Sequence, residues 1–577
     1  MTFRRDLKTG LACLALAAAL SGAAAAPRAD PLREAAGALA RGDGIAAEVA
    51  ARRALQHGRS EADVAAYLGE AELLQQDLDD ARRWLAPGRF SIATRQRGFH
   101  ALGRLHFEEG NLPAAAVAFN QALGSGPPTA QLWVDIGAMR YRGGEQHLAL
   151  DAAERAVALG PQNPAALRFR AQLARDAEGL VAALPWFERA LQGAPDDVGL
   201  LGEYAATLGD AGQNRAMLAV ARRMAELNPR DPRAYYLQAV LALRAGQFAM
   251  ARRLMWQTGG DYDARPAGLL LNGALELGSG NPALAVEQFD ALVRLQPQNH
   301  HAALLLGRAL LANGEANEVI ARLGPAADRR HTPPYLLALV GRAHEQLGNR
   351  EKAAAYLDRA AAAPDDAVTV LPVDAAGDFA IWRWQKDSRD PQGAVALLRR
   401  LVADGSGGEA QAEAARLLTR FPGSADIERL VGDVLLLTED PAGALAAFER
   451  SGAIRSDHAL VRRAILAERA LGRGDAAERR AAAFIARNPR ALPVVRVQAM
   501  ALAWRHDWRG AEPLLRRASD LAGGTDPLLL AALAEGRLAL GQRDLALADA
   551  RRAHALHRAS RPVAAVLARV ARAGKAG

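Results

Sequence analysis

The chain has 577 residues, a formal net charge of +8, half its residues hydrophobic and 5% aromatic. That length exceeds one compact core, which leaves several globular domains or one long repeat array. Abundant Ala and few runs of Val, Ile and Thr argue against a strand-rich fold. Lys stands only at Lys8, Lys352, Lys386 and Lys575, and no basic block is interleaved with aromatics, which argues against nucleic acid as a partner.

The first element is an export signal. Arg4, Arg5 and Lys8 precede the apolar run LACLALAAALSGAAAA, and small residues follow. This layout predicts a signal peptide over 1–25, cut after Ala25 with Ala23 at the −3 position. The run is short for a span of about 20 residues, and an uncleaved inner-membrane anchor is the alternative. Cys13, the only cysteine, sits near the start of the run and not where a lipoprotein acceptor would stand. A mature chain without it has no thiol for a disulfide or a metal. The expected location is periplasmic, with membrane contact only through the leader if it is retained.

From Arg28 a ruler of 34 residues fits ten units, beginning at 28, 62, 96, 130, 164, 198, 232, 266, 300 and 334. Position 8 of each is Gly or Ala. Position 20 is Ala in eight of the ten, with Met217 and Val319 as exceptions. Position 15 is Gly in eight of ten, although Gly makes up only 53 of the 577 residues, so composition does not explain it. Unit 130–163 reads as two helices, AQLWVDIGAMRYR and EQHLALDAAERAVAL. Gly143-Gly144 divides them and Pro161 and Pro164 close the unit. Small residues at positions 8 and 20 let the two helices approach. Large ones at position 24 (Phe119, Phe187, Phe289, Leu357) are expected to fill the gap towards the next unit. No pair buries its apolar face alone, so the pairs must stack.

The first array is placed at 26–367. Residues 368–390, VTVLPVDAAGDFAIWRWQKDSRD, break the ruler and carry Trp382 and Trp384. Two readings stay open. One is a loop or hairpin presenting these tryptophans to a partner. The other is a decayed repeat whose tryptophans plug a seam, with 375–408 as an alternative degenerate unit. A second array of about five units follows at 391–560. A capping helix with a flexible tail closes the chain at 561–577.

Motifs for chemistry are absent: no HExxH, GxSxG, GxxxxGK or paired CxxC occurs. His554 and His557 form HxxH without an evident third ligand, and Arg41-Gly42-Asp43 falls on the ruler's turn. No catalysis, cofactor or metal is expected.

The spacing of Trp133, Ile136, Gly137, Ala149, Ala156 and Pro161 resembles the tetratricopeptide repeat, as does that of Phe99, Leu102, Gly103, Ala115, Phe119, Ala122 and Pro127. The resemblance implies an all-α, right-handed superhelical solenoid of helix-turn-helix units used for binding and scaffolding. It also implies that the first helix of each unit lines the concave face. There the candidate partner-binding residues are His100, Arg104, Tyr141, Arg142, Arg168, Gln172, Arg175, Arg308 and Arg342. Arg168, Gln172 and Arg175 share one helix face at i, i+4 and i+7. The Lys and Asn pairs of the family's carboxylate clamp are missing. The Ala- and Arg-rich wording is similar to exported repeat subunits of bacterial exopolysaccharide export and surface-protein sorting systems. The expected function is a scaffold or adaptor for envelope proteins. The alternative is direct binding of an anionic polysaccharide or lipid headgroup by the arginine stripe.

Overall fold

The computed structural model describes residues 30–329, 332–362, 377–387 and 391–575. The proposed leader at 1–25 and the β-prone residues 368–371 lie outside them. The described residues form helices and turns and no strand. Among them no helix is long and apolar enough to cross a membrane. The fold is all-α and built of helix pairs, divided into two compact units at residues 128 and 129.

The first unit runs from helix Pro31–Ala40 to helix Leu112–Leu123. Its core is built on Leu68, Leu85, Leu105 and Phe119, all fully buried. The second unit holds successive pairs from Ala130–Arg142 and Gln146–Leu159 to Pro334–Gln346 and Arg350–Ala362. A single helix follows, Gly377–Lys386, and then further pairs from Pro391–Ala403 and Gly407–Arg420 to Pro527–Ala539 and Arg543–Leu556. The last helix, Arg561–Lys575, lays Val563, Val566 and Val570 against Leu530 of the preceding pair.

Local chemistry explains the pairs. Helix Pro164–Ala177 starts because Asn163 Oδ1 accepts the Ala166 N–H at 3.0 Å and Pro164 occupies the first turn, where no donor is needed. Between paired helices the chain must reverse through a left-handed residue. The eight glycines at position 15 of the ruler all have φ between 70° and 87°. Among the described residues the three non-glycine positions with positive φ are Gln76, Glu439 and His506, at φ 60–63°. They fall on the same position of units starting at 62, 425 and 492, so the turn geometry is kept where glycine is lost. In unit 164–197 the turn slips by one residue, to Gly179 at φ 104°.

The large residue at position 24 packs towards the next unit, as its spacing suggests: Phe187 meets Leu200 and lies 6.3 Å from the Tyr204 ring, and Phe448 meets Leu460. It also lies on the position-8 glycine of its own unit. A Cβ added at Gly103 would stand 2.4 Å from the Phe119 ring, and one at Gly273 would stand 2.6 Å from Phe289. The cause is directional: side chains on a helix lean back over the preceding turn, onto the facing helix of the same pair. Unit 130–163 has Ala153 at position 24, and there Phe169 of the following helix fills the space over Gly137. Each buried ring contributes about 1.5–3 kcal/mol of burial.

Candidate partner-binding face

His100 and Arg104 belong to helix Arg95–Glu108 of the first unit. The His100 ring tilts against Phe119 at 6.1 Å. Arg104 stands 4.0 Å from Glu70, whose other oxygen takes a 2.6 Å hydrogen bond from Arg97. Arg97 also lies over the Tyr67 ring at 5.0 Å. In this unit the face is therefore a shared-carboxylate network and not a row of isolated cations.

In the second unit, Arg168 and Gln172 reach the same carboxylate. Arg168 donates through Nε (2.9 Å) and Nη2 to Glu203 Oε1, and Gln172 donates to Glu203 Oε2 at 2.7 Å. The i, i+4 spacing thus clamps an acid of the next helix, Val198–Asp210. Arg175 does not join them; its Nε lies 3.8 Å from Asp176. The Tyr141 hydroxyl donates to Asp176 Oδ2 at 2.5 Å, and burial, reinforced by this bond, pushes its pKa well up. Arg142 is exposed at the end of helix Ala130–Arg142. Glu203 and Asp176 are functional neighbours that the arginine pattern alone did not single out. An acid 31 and 35 residues beyond Gln172 and Arg168 was the available signal.

Later repeats seat against these early ones. Asp176 O accepts the Ser456 N–H at 2.7 Å, and the buried Gln146 side chain accepts the Ala425 N–H at 2.8 Å. Asn488 caps the start of helix Leu180–Gly193 by accepting the Leu180 N–H at 3.2 Å. Further along, Ala559 N donates to Glu345. Both helices of the early repeats thus serve in part as an internal docking surface.

Arg308 and Arg342 come together around Tyr335, from helices His300–Ala312 and Pro334–Gln346. Tyr335 is 44% exposed, and surrounding protein first, then Asp526, raise its pKa against the lowering effect of the two guanidiniums. Burial, with Arg308 nearby, holds Arg342 below the usual guanidinium range. Asp526 and His557 of later repeats complete the surroundings. Two guanidiniums and a phenol are chemically a carboxylate- or phosphate-holding set.

His557 is 2% exposed at the end of helix Arg543–Leu556, and its Nδ1 has no hydrogen-bond partner. Burial first, and the Arg342 cation second, push its pKa down from 6.5 to about 4, against a partial offset from Asp526. Between those values the unfolded chain takes up a proton that the folded chain refuses. Stability is therefore complete above pH 6.5 and is lost as pH falls towards 4, by at most about 3 kcal/mol from this residue. Urea midpoints recorded from pH 7 to 4.5 should fall less steeply for His557→Leu than for the unaltered chain. Parallel slopes would remove His557 as a cause.

In the interruption, the described residues 377–386 are a helix and neither a loop nor a hairpin. The two tryptophans take opposite roles. Trp384 is buried beside Leu398 and Leu417, with Nε1 donating to Glu413 at 3.0 Å. Trp382 is 53% exposed and stacks on Phe379, itself 65% exposed, at 5.8 Å and 24°. The i, i+3 spacing makes this an aromatic patch on one helix face. Phe379 belongs to it, and its i, i+3 spacing to Trp382 was the available sequence signal.

The tetratricopeptide-repeat family matches residues 100–164, 140–198, 270–318 and 395–458. Cellulose synthase operon protein C of Xanthomonas axonopodis pv. citri (strain 306) is 26% identical over 294 residues, 49% of this chain and 18% of that protein. The match thus spans under a fifth of the relative's length. Among solved structures, the APC/C hetero-tetramer Cut9-Hcn1 gives a TM-score of 0.35 at 13% identity, over 94% of this chain and 95% of that one. Pseudomonas aeruginosa pilF gives 0.32 at 19% identity, over 36% and 94%. The glycine turns, the ring-on-glycine pairs and these four matched stretches agree, and the chain carries tetratricopeptide repeats at residues 100–198, 270–318 and 395–458.

Proposed function

We propose that this chain is a non-catalytic scaffold, exported to the bacterial cell envelope, that holds protein partners in polysaccharide export or surface assembly. The observation that carries the reading is the repeat array itself, since stacked helix pairs of this kind serve as protein-interaction scaffolds. The leader-like residues 1–25 and the similarity to a protein named for a cellulose synthase operon support the envelope setting. Of the nine candidate face residues, Arg308 and Arg342 beside Tyr335 are the ones we assign to partner contact in the second unit. Arg168, Gln172 and Tyr141 hold neighbouring repeats together. The exposed pair Phe379 and Trp382 is a second contact, of the aromatic kind that anchors interfaces.

The test is crosslinked affinity capture from an envelope fraction, with an Arg308→Glu/Arg342→Glu chain and a Phe379→Ala/Trp382→Ala chain beside the unaltered one. Defined proteins should be enriched by the unaltered chain, and each variant should recover about tenfold less of one of them at unchanged circular dichroism. Intact mass should place the mature N-terminus at Ala26, in the periplasmic fraction. Enrichment of anionic glycan or lipid without protein would replace the scaffold reading by direct polymer binding.

A further inference from the structure

A second site lies apart from Tyr335 and its two arginines. Within the second unit, helices Asn214–Leu227, Pro232–Arg244 and Phe248–Trp256 form one wall of a cleft, and helix Trp508–Leu521 with Arg490 forms the other. Its volume is about 1180 Å³. Arg215, Arg222, Arg244, Arg490, Arg516 and Arg517 line it, and Asp520 is the single carboxylate among its lining residues. Over the whole chain, 72 basic residues face 64 acidic ones, so a ratio of six to one is a strong local departure.

Two of these arginines are held by the fold. Arg244 donates to Gly209 O at 3.0 Å and to Asp210 at 3.2 Å, and Arg517 donates to Pro489 O. The other four, Arg215, Arg222, Arg490 and Arg516, are exposed and have no hydrogen-bonded or ion-paired carboxylate among the described residues. Elsewhere in the chain such guanidiniums are commonly neutralised. Arg223, adjacent to Arg222, pairs with Asp196 at 2.9 Å. Burial first and the nearby Arg244 cation second also hold Arg490 below the usual range, against a partial offset from Asp210.

Between the arginines the floor is aliphatic, made by Leu218, Leu241, Met250, Leu254 and Leu521. None of the lining residues is aromatic. Pyranose rings pack on aromatic faces, whereas leucine side chains pack on leucine and methionine. We propose that this cleft binds a peptide segment of a partner protein in which acidic side chains alternate with aliphatic ones. The acids meet the four unpaired guanidiniums and the aliphatic side chains bury on the floor. The inference deepens the scaffold reading and rests on it only in taking the partner to be a protein.

The probe is a synthetic, fluorophore-labelled peptide of about ten residues with Glu and Leu alternating, titrated with the full chain in fluorescence anisotropy. Binding should weaken with added salt. An Arg215→Glu/Arg222→Glu/Arg516→Glu chain should bind about thirtyfold more weakly. The same peptide with Ser for Leu should lose about tenfold against the unaltered chain, which keeps the test independent of any folding defect in the variant. The Arg308→Glu/Arg342→Glu chain should bind normally, which separates this cleft from the face residues. Equal binding of the Leu and Ser peptides, or full competition by an oligogalacturonate, would reduce the cleft to a charge patch and overturn the proposal. Absence of peptide binding overturns it as well, while leaving envelope-protein capture untouched.

Discussion

Replacing Phe448 by alanine is expected to destabilise the second unit by about 3–5 kcal/mol, read as a lower urea midpoint. The ring is 1% exposed, and a Cβ on Gly432 would stand 2.4 Å from it. Removing it opens a cavity between helices Ala425–Leu437 and Pro441–Ile454, which are otherwise held by Leu435, Leu445, Leu460 and Ala464. The glycine is the other half of the same contact. Gly432→Ala should cost about 1–3 kcal/mol in the unaltered chain, because a rigid buried ring has to move. In the Phe448→Ala background it should cost almost nothing, since the obstructing atoms are gone. The double-mutant cycle should therefore show a coupling of about 1–3 kcal/mol, and additive costs would falsify the ring-on-glycine account of the repeat.

That contact also marks the limit of what a sequence ruler carries. The period of 34 located the turns, because a left-handed residue must recur wherever two helices reverse. Even Gln76, Glu439 and His506, which break the glycine pattern, sit on its marks. Spacing named the large residue at position 24 and its place towards the next unit, but not that it also lies on the glycine of its own pair, which depends on how a helical side chain leans. The arginine face was legible as a set of residues on one helix side. Its partners were not, because an arginine pattern does not announce the acid that satisfies it; Glu203 takes both Arg168 and Gln172. Least legible were the contacts between distant repeats. Ala425 meets Gln146 across 279 residues, and Leu180 meets Asn488 across 308. A repeat encodes its nearest neighbours, and nothing periodic specifies where a later pair will seat on an earlier one. The arginine cleft is a product of that seating, so its residues carry no common motif.

Breaking the ion pair between Arg463 and Asp433 should be the second large effect. Arg463 Nε donates to Asp433 Oδ1 at 2.6 Å, and the two side chains are only 8% and 4% exposed. They join helix His458–Ala470 to helix Ala425–Leu437 in the interior of the second unit. Desolvating two charges costs several kcal/mol each, which their attraction must offset, so the pair itself adds little net stability. Removing one partner is different. Asp433→Ala leaves a guanidinium in the interior without this carboxylate, and the expected loss is about 3–5 kcal/mol. Replacing both, as Asp433→Leu/Arg463→Met, removes the stranded charge and should restore much of that loss. The comparison is made by urea unfolding of the three variants at neutral pH. If the double variant is no more stable than Asp433→Ala, packing and not the uncompensated charge governs this site. If it recovers, the pair is there to fix which helix faces which, and an array of otherwise similar helices gains its register from a contact that costs it little.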